Sequence, residues 1–297
     1  MWALAVLLAA GLSFASPPAR LSAQSALQDR YFDSSGVRIR YVETGTGSPI
    51  VLVHGFTRNI ETNWIDTGVV SALAKRHRVI AVDLRGHGKS GKPHDPKAYE
   101  ADVHLDVIKL MDHLQIPRAH LVGYSAGCSV VGRLAVTHPE RVISIVLGAG
   151  TILHGVWEAS DDENAKTAAA DAKNDPPFRN LIVRLTPKDE SPRSEDTIKA
   201  HSSQLTAGND LDALMAYRTA GGRGQVSSDE EVIAIRVPVL AIVGDQDPTI
   251  AAVRSLQKFF PALNVIEIRG ATHASERSAA RQPEFAAAIL KFVDDRK

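Results

Sequence analysis

The amino-acid sequence predicts an α/β fold: a doubly wound, mostly parallel sheet with a mainly helical cap insertion. Short continuous runs of Val, Ile and Leu recur along the chain, which is typical of parallel strands covered on both faces. Helix-like patterns separate these runs, and repeated strand–helix–strand units indicate a doubly wound sheet. With 297 residues, 44% of them hydrophobic and 23% charged, the chain can form a sizeable core.

The predicted sheet begins with a hairpin and continues with six apolar strands. Alternation over residues 37–42 predicts a half-exposed strand, and Tyr31 and Phe32, before the turn DSSG, predict its partner. The runs without alternation are IVLVHG (50–55), RVIAVDL (78–84), AHLVGYS (119–125), RVISIVLGAG (141–150), VPVLAIVGDQD (237–247) and NVIEIRG (264–270). Helices are predicted over 71–77, 98–116, 129–139, 253–260 and 283–295.

One region departs from this alternation. Between residues 151 and 228 there is no strand-like run of useful length, and polar stretches typical of helices and loops fill the sequence. Two apolar groups argue against a disordered segment; they are Phe178, Leu181, Ile182, Val183 and Leu185, and Leu205, Leu211, Leu214, Met215 and Tyr217. We therefore expect residues 151–228 to form a helical cap, inserted into a core made of residues 24–150 and 229–297.

The N-terminal residues predict a signal peptide. Residues 2–15 carry no charge; this run is too short to cross a bilayer comfortably but matches the apolar region of a secretory signal. No positively charged residue precedes it, which leaves a buried helix or an uncleaved anchor as alternatives. Small residues allow cleavage after Ala15 or Ala23. We expect residues 1–23 to be removed and the mature protein to be periplasmic or secreted.

Charge and cysteine content exclude several classes of protein. Lys plus Arg equal Asp plus Glu at 34 each, so nucleic acid and anionic membrane surfaces are not expected as partners, and no stable membrane span is expected. The single cysteine, Cys128, excludes an intrachain disulfide, and its apolar setting indicates a core residue. The chain has no H-E-x-x-H motif and no cysteine pair, and residues 85–91 lack phosphate-loop spacing. Neither a metal nor a cofactor is expected.

The pentapeptide Gly123-Tyr124-Ser125-Ala126-Gly127 predicts a nucleophile. An apolar strand precedes it and a helix-like run follows, while flanking glycines permit the sharp turn that lifts a serine hydroxyl above a sheet. The helix that starts there adds a field favourable to developing negative charge. An ordinary tight turn is the alternative.

A serine nucleophile needs a base and an orienting acid, in the chain order Ser, acid, His for this type of turn. The strand over 237–247 ends in Asp245 and Asp247, and both are candidates for the acid. Of the four histidines beyond Ser125, only His273 follows these aspartates and a predicted strand. The sequence thus predicts a Ser125–His273 pair oriented by one of two aspartates.

These landmarks resemble the α/β-hydrolase family, of its lid-bearing, esterase-like kind, from about residue 30 to the end of the chain. VLVHGF is similar to the family's oxyanion loop, VDLRGHGKSGKP to the turn after the next strand, GYSAG to the nucleophile elbow, GDQDP to the acid turn and GATH to the histidine loop. In the family's G-x-x-D pattern the acid falls on Asp247, which leaves Asp245 as a turn-stabilising side chain. The resemblance implies an oxyanion hole formed by the backbone N–H groups of Phe56 and Ala126, with His54 either orienting that loop or making a structural hydrogen bond.

The resemblance also implies a serine hydrolase that cleaves small to medium carboxylic esters, or a related small molecule, through an acyl-enzyme. Carbon–carbon bond hydrolases and cofactor-free haloperoxidases or perhydrolases keep the same three side chains and remain alternatives, although Cys128 departs from the G-x-S-x-G-G elbow of perhydrolases. Dehalogenases and epoxide hydrolases resemble the chain elsewhere but carry Asp at the position of Ser125. A protein that binds a small ligand without catalysis is the last alternative. The oligomeric state stays open.

Overall fold

The strands that the structure describes form one sheet of eight strands. The structure, a computed structural model, describes residues 27–100, 103–152, 171, 174–220 and 228–296. The strands are β1 (Arg30–Ser34), β2 (Val37–Thr44), β3 (Pro49–Val53), β4 (Arg78–Val82), β5 (Ala119–Tyr124), β6 (Val142–Gly148), β7 (Val239–Gly244) and β8 (Asn264–Ile268). Their order is β1-β2-β4-β3-β5-β6-β7-β8; β2 is antiparallel to β1 and to β4, and all other neighbours are parallel.

Helices cover both faces of the sheet, which confirms the predicted doubly wound α/β fold. The α-helices of the described residues are α1 (Val69–Leu73), α2 (Lys97–Glu100), α3 (Leu105–His113), α4 (Ala126–Thr137), α5 (Arg179–Arg184), α6 (Glu195–Thr206), α7 (Leu211–Ala220), α8 (Asp229–Ala234), α9 (Ile250–Ser255) and α10 (Pro283–Asp294). Each of the six later strands lies within its predicted apolar run, apart from Pro49 one residue before it. In the described part of the chain, no helix has the length and apolar character that a membrane crossing requires.

The core consists of two apolar layers on opposite faces of the sheet. Successive residues of β3 alternate between them: Val51 and Val53 belong to one layer, Ile50 and Leu52 to the other. Helices α3, α4 and α9 contribute to the first layer, and α1 and α10 to the second. The parallel strands therefore end at one common edge, where the loops that follow them can meet.

Three predicted helices differ from the observed ones; one of them, predicted over 253–260, is observed as α9 followed by a 3-10 turn over Leu256–Lys258. The helix predicted over 98–116 is divided into α2 and α3, and the helix predicted over 71–77 ends at Leu73. The chain turns after Leu73, whose carbonyl oxygen accepts from the N–H groups of Arg76 and His77, because β4 already begins at Arg78. A π-helical turn over Glu61–Ile65 has no counterpart in the prediction.

Within the predicted cap insertion, the described residues 171 and 174–220 contain α5, α6 and α7 and no strand; we call these residues the cap segment. Members of both predicted apolar groups join one cluster, with Phe178, Ile182 and Leu214 buried. Val183 does not join it, contrary to expectation, and is 49% exposed. Residues 153–170, 172–173 and 221–227 of the predicted cap insertion, and the predicted signal peptide over 1–23, lie outside the described residues.

Buried ion pairs tie the N-terminal hairpin to the loops at the edge of the sheet. Arg40 is 2% exposed; its Nη1 donates to Asp83 at 2.9 Å and its Nη2 to Glu61 at 2.6 Å. Asp83 is fully buried and also accepts from the N–H groups of Ile60 at 2.8 Å and Lys89 at 2.9 Å. One carboxylate thus fixes β2 and two loops together.

Candidate active site

Ser125 lies between β5 and α4 at the carboxyl edge of the sheet. Its φ of 52° and ψ of −118° are unusual for a residue with a side chain. A Cβ on Gly123 would lie 2.4 Å from the carbonyl oxygen of Gly127, and a Cβ on Gly127 would lie 2.2 Å from that of Val53. Both clashes involve backbone atoms, so the two positions require glycine for the turn that presents a half-buried Ser125.

His273 and Asp247 form a chain of hydrogen bonds with Ser125. The Nε2 of His273 lies 2.9 Å from Ser125 Oγ, and its Nδ1 lies 3.0 Å from Oδ2 and 3.2 Å from Oδ1 of Asp247. Asp247 is fully buried and His273 is 7% exposed. A carboxylate in this place accepts the Nδ1–H, so the lone pair of Nε2 faces the serine hydroxyl. The structure therefore brings together the three side chains that the sequence predicts.

The two aspartates after β7 have different surroundings. Oδ1 of Asp247, the oxygen 3.2 Å from the imidazole, also accepts the N–H of Thr249 at 2.8 Å. Oδ1 of Asp245 accepts the N–H of Gly270 at 2.7 Å. Asp245 thus joins the acid turn to the turn that leads to His273, while Asp247 contacts the imidazole itself.

Tyr124, the variable residue of the elbow, supports the histidine loop. Its hydroxyl donates to the carbonyl oxygen of His273 at 2.8 Å, and the two ring centroids are 5.9 Å apart. The Tyr124 ring packs edge-on against Trp64 and Phe285. Burial raises the pKa of the Tyr124 phenol, so the hydroxyl remains a donor at neutral pH. No motif predicts this role, because the contact joins residues far apart in the chain.

Residues 54–58, which follow β3 and which we call the oxyanion loop, lie beside the nucleophile. A Cβ on Gly55 would be 3.1 Å from the Cβ of Ser125. The N–H of Gly55 donates to Asn63 Oδ1 at 3.0 Å, and its carbonyl oxygen accepts the N–H of Arg58 at 3.1 Å. These bonds fix the loop where it passes the serine.

The two residues expected to supply the oxyanion hole follow Gly55 and Ser125, the two residues that lie close to each other. Phe56 follows Gly55 on the oxyanion loop, and Ala126 follows Ser125 as the first residue of α4. An N–H in the first turn of a helix has no acceptor within the helix, so that of Ala126 is available to an external oxygen. Both residues are half-buried.

His54 fixes the oxyanion loop to the end of β4. Its Nδ1 donates to the carbonyl oxygen of Gly55 at 2.7 Å, and its Nε2 accepts the N–H of Leu84 at 3.0 Å. Burial lowers the pKa of His54 to about 4, so the neutral imidazole makes both bonds at pH 7. The Gly55 carbonyl and the Phe56 N–H belong to one peptide unit, and a donor on the carbonyl strengthens that N–H as a donor.

Side chains of the cap segment rest on the oxyanion loop. The Phe56 ring stacks on Tyr217, with centroids 5.7 Å apart and planes at 24°, and meets Phe178 edge-on at 5.5 Å. Asn209 Nδ2 donates to the carbonyl oxygen of Thr57 at 3.3 Å. Thr57 has a φ of 63°, so this bond supports a residue in the left-handed region. The loop is thus held from the core and from the cap.

Among the described residues, one group of side chains could hold a metal ion: His94, Asp210 and Asp212. The group lies at the protein surface. Nε2 of His94 already forms an ion pair with Asp210 at 3.0 Å. The group includes none of Ser125, His273 and Asp247. We assign no metal to it.

A family model described as the α/β-hydrolase fold matches residues 48–275. The chain belongs to the α/β-hydrolase family. This α/β-hydrolase is 31% identical to haloalkane dehalogenase 2 of Mycobacterium tuberculosis over 229 residues, which are 74% of this chain and 73% of the relative. It is 37% identical to 2-hydroxymuconate semialdehyde hydrolase of a Pseudomonas species over 131 residues, which are 43% of this chain and 46% of the relative. These relatives support an enzyme that hydrolyses small molecules.

Solved α/β-hydrolase structures have the same fold. A bromoperoxidase from Bacillus anthracis has a TM-score of 0.69 at 24% identity, over 91% of this chain and 100% of its own. The enol-lactonase from Burkholderia xenovorans has a TM-score of 0.67 at 24% identity, over 90% of this chain and 98% of its own. An N-acyl homoserine lactone degrading enzyme has a TM-score of 0.68 at 25% identity, over 89% of this chain and 100% of its own.

Proposed function

We propose that this α/β-hydrolase is a serine esterase that cleaves small to medium carboxylic esters through an acyl-enzyme. The observation that carries the proposal is the hydrogen-bond chain from Ser125 Oγ to His273 at 2.9 Å and from His273 to Asp247 at 3.0 Å. A nucleophile, a base and an orienting acid in this order are the groups that acyl transfer requires.

In the proposed acylation, Nε2 of His273 takes the hydroxyl proton of Ser125 while Oγ attacks the ester carbonyl carbon. Asp247 holds the Nδ1–H and stabilises the imidazolium. The imidazolium then gives its proton to the alcohol oxygen as the carbon–oxygen bond breaks, and the acyl group stays on the serine. Water enters, gives a proton to His273 and attacks the acyl carbon; the acid leaves as the serine regains its proton.

Acylation and deacylation each pass through a tetrahedral intermediate, whose negatively charged oxygen must be stabilised by hydrogen-bond donors. We assign this role to the backbone N–H groups of Phe56 and Ala126, with the positive end of α4 adding a favourable field. The hydrogen bonds of Gly55 and His54 support the role of Phe56, because they hold its peptide unit in place before substrate binds.

The serine favours ester cleavage over the reaction of the dehalogenase relatives. Dehalogenases carry Asp at the position of Ser125, and an acyl-serine is the intermediate that water can attack at a carbonyl. Two of the similar solved structures are an enol-lactonase and an enzyme that degrades N-acyl homoserine lactones, and a lactone is a cyclic ester. Residues 151–228 contain three aromatic residues, Trp157, Phe178 and Tyr217, and no run typical of a long acyl groove, which supports small to medium esters.

The test is hydrolysis of p-nitrophenyl esters from acetate to decanoate by the wild type, Ser125→Ala and Ser203→Ala. Ser203 is an exposed serine of the cap segment and serves as the matched control. We expect Ser125→Ala to lose activity by a factor on the order of 10⁶ and Ser203→Ala to keep it. A folded wild type without turnover would point to carbon–carbon bond cleavage or ligand binding, and full activity in Ser125→Ala would overturn the proposal.

We also propose that the enzyme is exported. The uncharged apolar run over residues 2–15, followed by small residues up to Ala23, supports this. Sequencing the N-terminus of the protein from its native host should find a start near Gln24 in the exported fraction. A mature protein that retains Trp2 would contradict cleavage.

A further inference from the structure

A short turn of the cap segment lies against the loops that carry the acid and the base. It consists of residues 187–190, which we call the cap turn; the N–H of its last residue donates to the carbonyl oxygen of its first at 3.1 Å. The N–H of Lys188 donates to the carbonyl oxygen of Gln246 at 3.0 Å, and Gln246 directly precedes Asp247 in the acid turn. The cap turn is thus bonded to the acid turn beside the carboxylate that contacts the imidazole.

The side chain of Arg277 joins the cap turn to the histidine loop. Its Nη1 donates to Asp189 Oδ2 at 2.7 Å, and its Nη2 donates to Asp189 Oδ1 at 3.1 Å and to Glu190 Oε1 at 2.9 Å. Two parallel bonds between a guanidinium and one carboxylate fix orientation as well as distance. The hydrogen bonds of Arg277 lower the pKa of the Asp189 carboxyl, so the carboxylate is ionised at neutral pH.

The backbone of Arg277 closes the loop in which His273 lies. Its carbonyl oxygen accepts the N–H of Thr272 at 2.9 Å, and the carbonyl oxygen of Thr272 accepts the N–H of Ala279 at 3.0 Å. Ser275, within this loop, has a φ of 72°, which is in the left-handed region. His273 therefore lies in a closed loop, and the residue that closes it is the one whose side chain the cap turn holds.

The contact between Asp247 and His273 is thus flanked by two bonds to the same turn of the cap. Through Gln246 the cap turn holds the acid turn, and through Arg277 it holds the histidine loop. The carboxylate lies 3.0 Å from the imidazole, a distance that depends on how the two loops sit relative to each other. Tyr124 holds the histidine loop from the core, and Arg277 holds it from the cap.

We propose that Arg277 is a positioning residue for the hydrolysis. Its ion pairs with Asp189 and Glu190 hold the histidine loop where the imidazole of His273 reaches both Asp247 and the serine hydroxyl. The role rests on the proposed function and adds a residue that acts through His273 without touching the substrate. Because the three paired side chains are between 40% and 45% exposed, the ion pairs are of modest strength and weaken as salt is added. The rate of hydrolysis should therefore depend on ionic strength through this contact.

The first test measures kcat and KM for p-nitrophenyl acetate in Arg277→Gln, Arg277→Lys and the double variant Asp189→Asn/Glu190→Gln. We expect Arg277→Gln and the double variant each to lower kcat by about threefold to fivefold and to keep KM within about twofold, because a displaced base weakens the transition state rather than substrate binding. Arg277→Lys should recover part of the loss, since lysine keeps the charge without the planar donors. Combining Arg277→Gln with the double variant should add little, because both remove the same contact.

The second test is the response to salt, with Arg30→Gln as the control for loss of a surface ion pair. Arg30 is 48% exposed and is paired with Glu43 at 2.9 Å on the N-terminal hairpin. In the wild type and in Arg30→Gln, raising NaCl from about 0.05 M to about 1 M should lower kcat about twofold or more, whereas Arg277→Gln should respond little. An equal response in all three proteins would overturn the role of Arg277.

A third test separates the role of Arg277 from the esterase function. Diethyl p-nitrophenyl phosphate reacts with an activated serine: Ser125 Oγ bonds to phosphorus, His273 takes the hydroxyl proton and p-nitrophenolate leaves. Arg277→Gln should slow this step about threefold to fivefold, as it slows ester turnover. Wild-type rates of both reactions in Arg277→Gln, or a loss confined to KM, would overturn the positioning role. A wild type that is modified at Ser125 but cleaves no ester would instead overturn the esterase function, and the rate of modification would still decide the role of Arg277.

Discussion

Ser125 is held in a backbone conformation that costs free energy, of the order of 1–3 kcal/mol for a non-glycine residue. Two hydrogen bonds fix it: its N–H donates to the carbonyl oxygen of Gly148 at 2.8 Å, and its own carbonyl oxygen accepts the N–H of Cys128 at 2.9 Å. The serine therefore cannot relax into the helix that follows. Its hydroxyl is in place before a substrate arrives, which removes an ordering cost from the reaction.

The two aspartates of the acid turn should differ in their effect on turnover. Asp247→Asn should lower kcat by a factor on the order of 10⁴, because an amide cannot hold the reactive tautomer of His273 in the same way. Asp245→Asn should reduce activity far less, since Asp245 accepts the N–H of Gly270 rather than contacting the imidazole. Steady-state kinetics on both variants decides; a greater loss in Asp245→Asn would make the assignment of the acid wrong.

Some residues of the site are predictable from the sequence, and others are recognised only in the structure. Ser125 is predicted from the glycines of its sharp turn and His273 from its place in the chain order, whereas Asp247 is chosen over Asp245 only through the resemblance to the α/β-hydrolase family. Tyr124 is not predicted, since its partner His273 lies in a segment distant along the chain and no spacing rule connects the two. A short motif predicts local backbone geometry, whereas contacts between side chains distant along the chain depend on how the whole fold packs.

At the level of elements, α7 and the oxyanion loop form one unit through their side chains. Tyr217 of α7 stacks on Phe56, and Asn209, just before α7, holds Thr57. A displacement of the cap segment would therefore disturb the peptide unit proposed to bind the oxyanion.

This contact predicts coupled effects on kcat. Tyr217→Leu and Phe56→Leu should each lower kcat about tenfold with little change in KM, because a misplaced donor weakens transition-state binding. The double variant should lose little more than either single one, since both remove the same contact. Kinetics with p-nitrophenyl acetate on all four proteins measures the coupling.

Tyr31→Leu provides the control for that cycle, as Tyr31 packs against Arg38 on the hairpin, with the guanidinium carbon 3.5 Å from its ring centroid. It should leave kcat as in the wild type. Additive losses for Tyr217 and Phe56, or a change confined to KM, would show that the cap does not act through the oxyanion loop.

The elements themselves were predictable to different degrees. Strands were located to within a few residues, because continuous Val and Ile runs leave few other solutions in a buried parallel sheet. Helix ends were less well located: α1 ends early because β4 begins at Arg78, a constraint that periodicity does not contain. The turn over Glu61–Ile65 was missed since its residues have no helical repeat, and its Trp64 is buried by contacts with distant segments such as Tyr124.

On the scale of the whole molecule, one buried carboxylate joins the hairpin to the loops of the sheet edge. Asp83→Asn should lower the free energy of unfolding by about 1.5–3 kcal/mol, because it removes the fully buried carboxylate from Arg40 while Glu61 stays paired with it. Asp33→Asn, at an exposed position of the hairpin, should change it by about 0.5 kcal/mol or less. Urea unfolding measures both; equal effects would contradict the role given to Asp83.

The contact between core and cap at His94 and Asp210 should respond to pH. Its hydrogen bond to Asp210 raises the pKa of His94 above the ordinary value of about 6.5. A raised pKa stabilises the folded state below about pH 6.5, and this contribution is lost as pH rises through the folded-state pKa. His94→Asn should therefore lower the melting temperature slightly at about pH 6 and leave it unchanged at about pH 9. The reverse order would contradict the ion pair.

Cys128, the one cysteine of the chain, lies behind the nucleophile with its Sγ 3.4 Å from the carbonyl oxygens of Gly123 and Gly148. Burial raises the pKa of its thiol, so the native protein holds no reactive thiolate there. The molecule is therefore ready for single-site labelling. A cysteine introduced at exposed Ser203 would take a maleimide dye or spin label alone, and movement of the cap could be followed without altering the elbow.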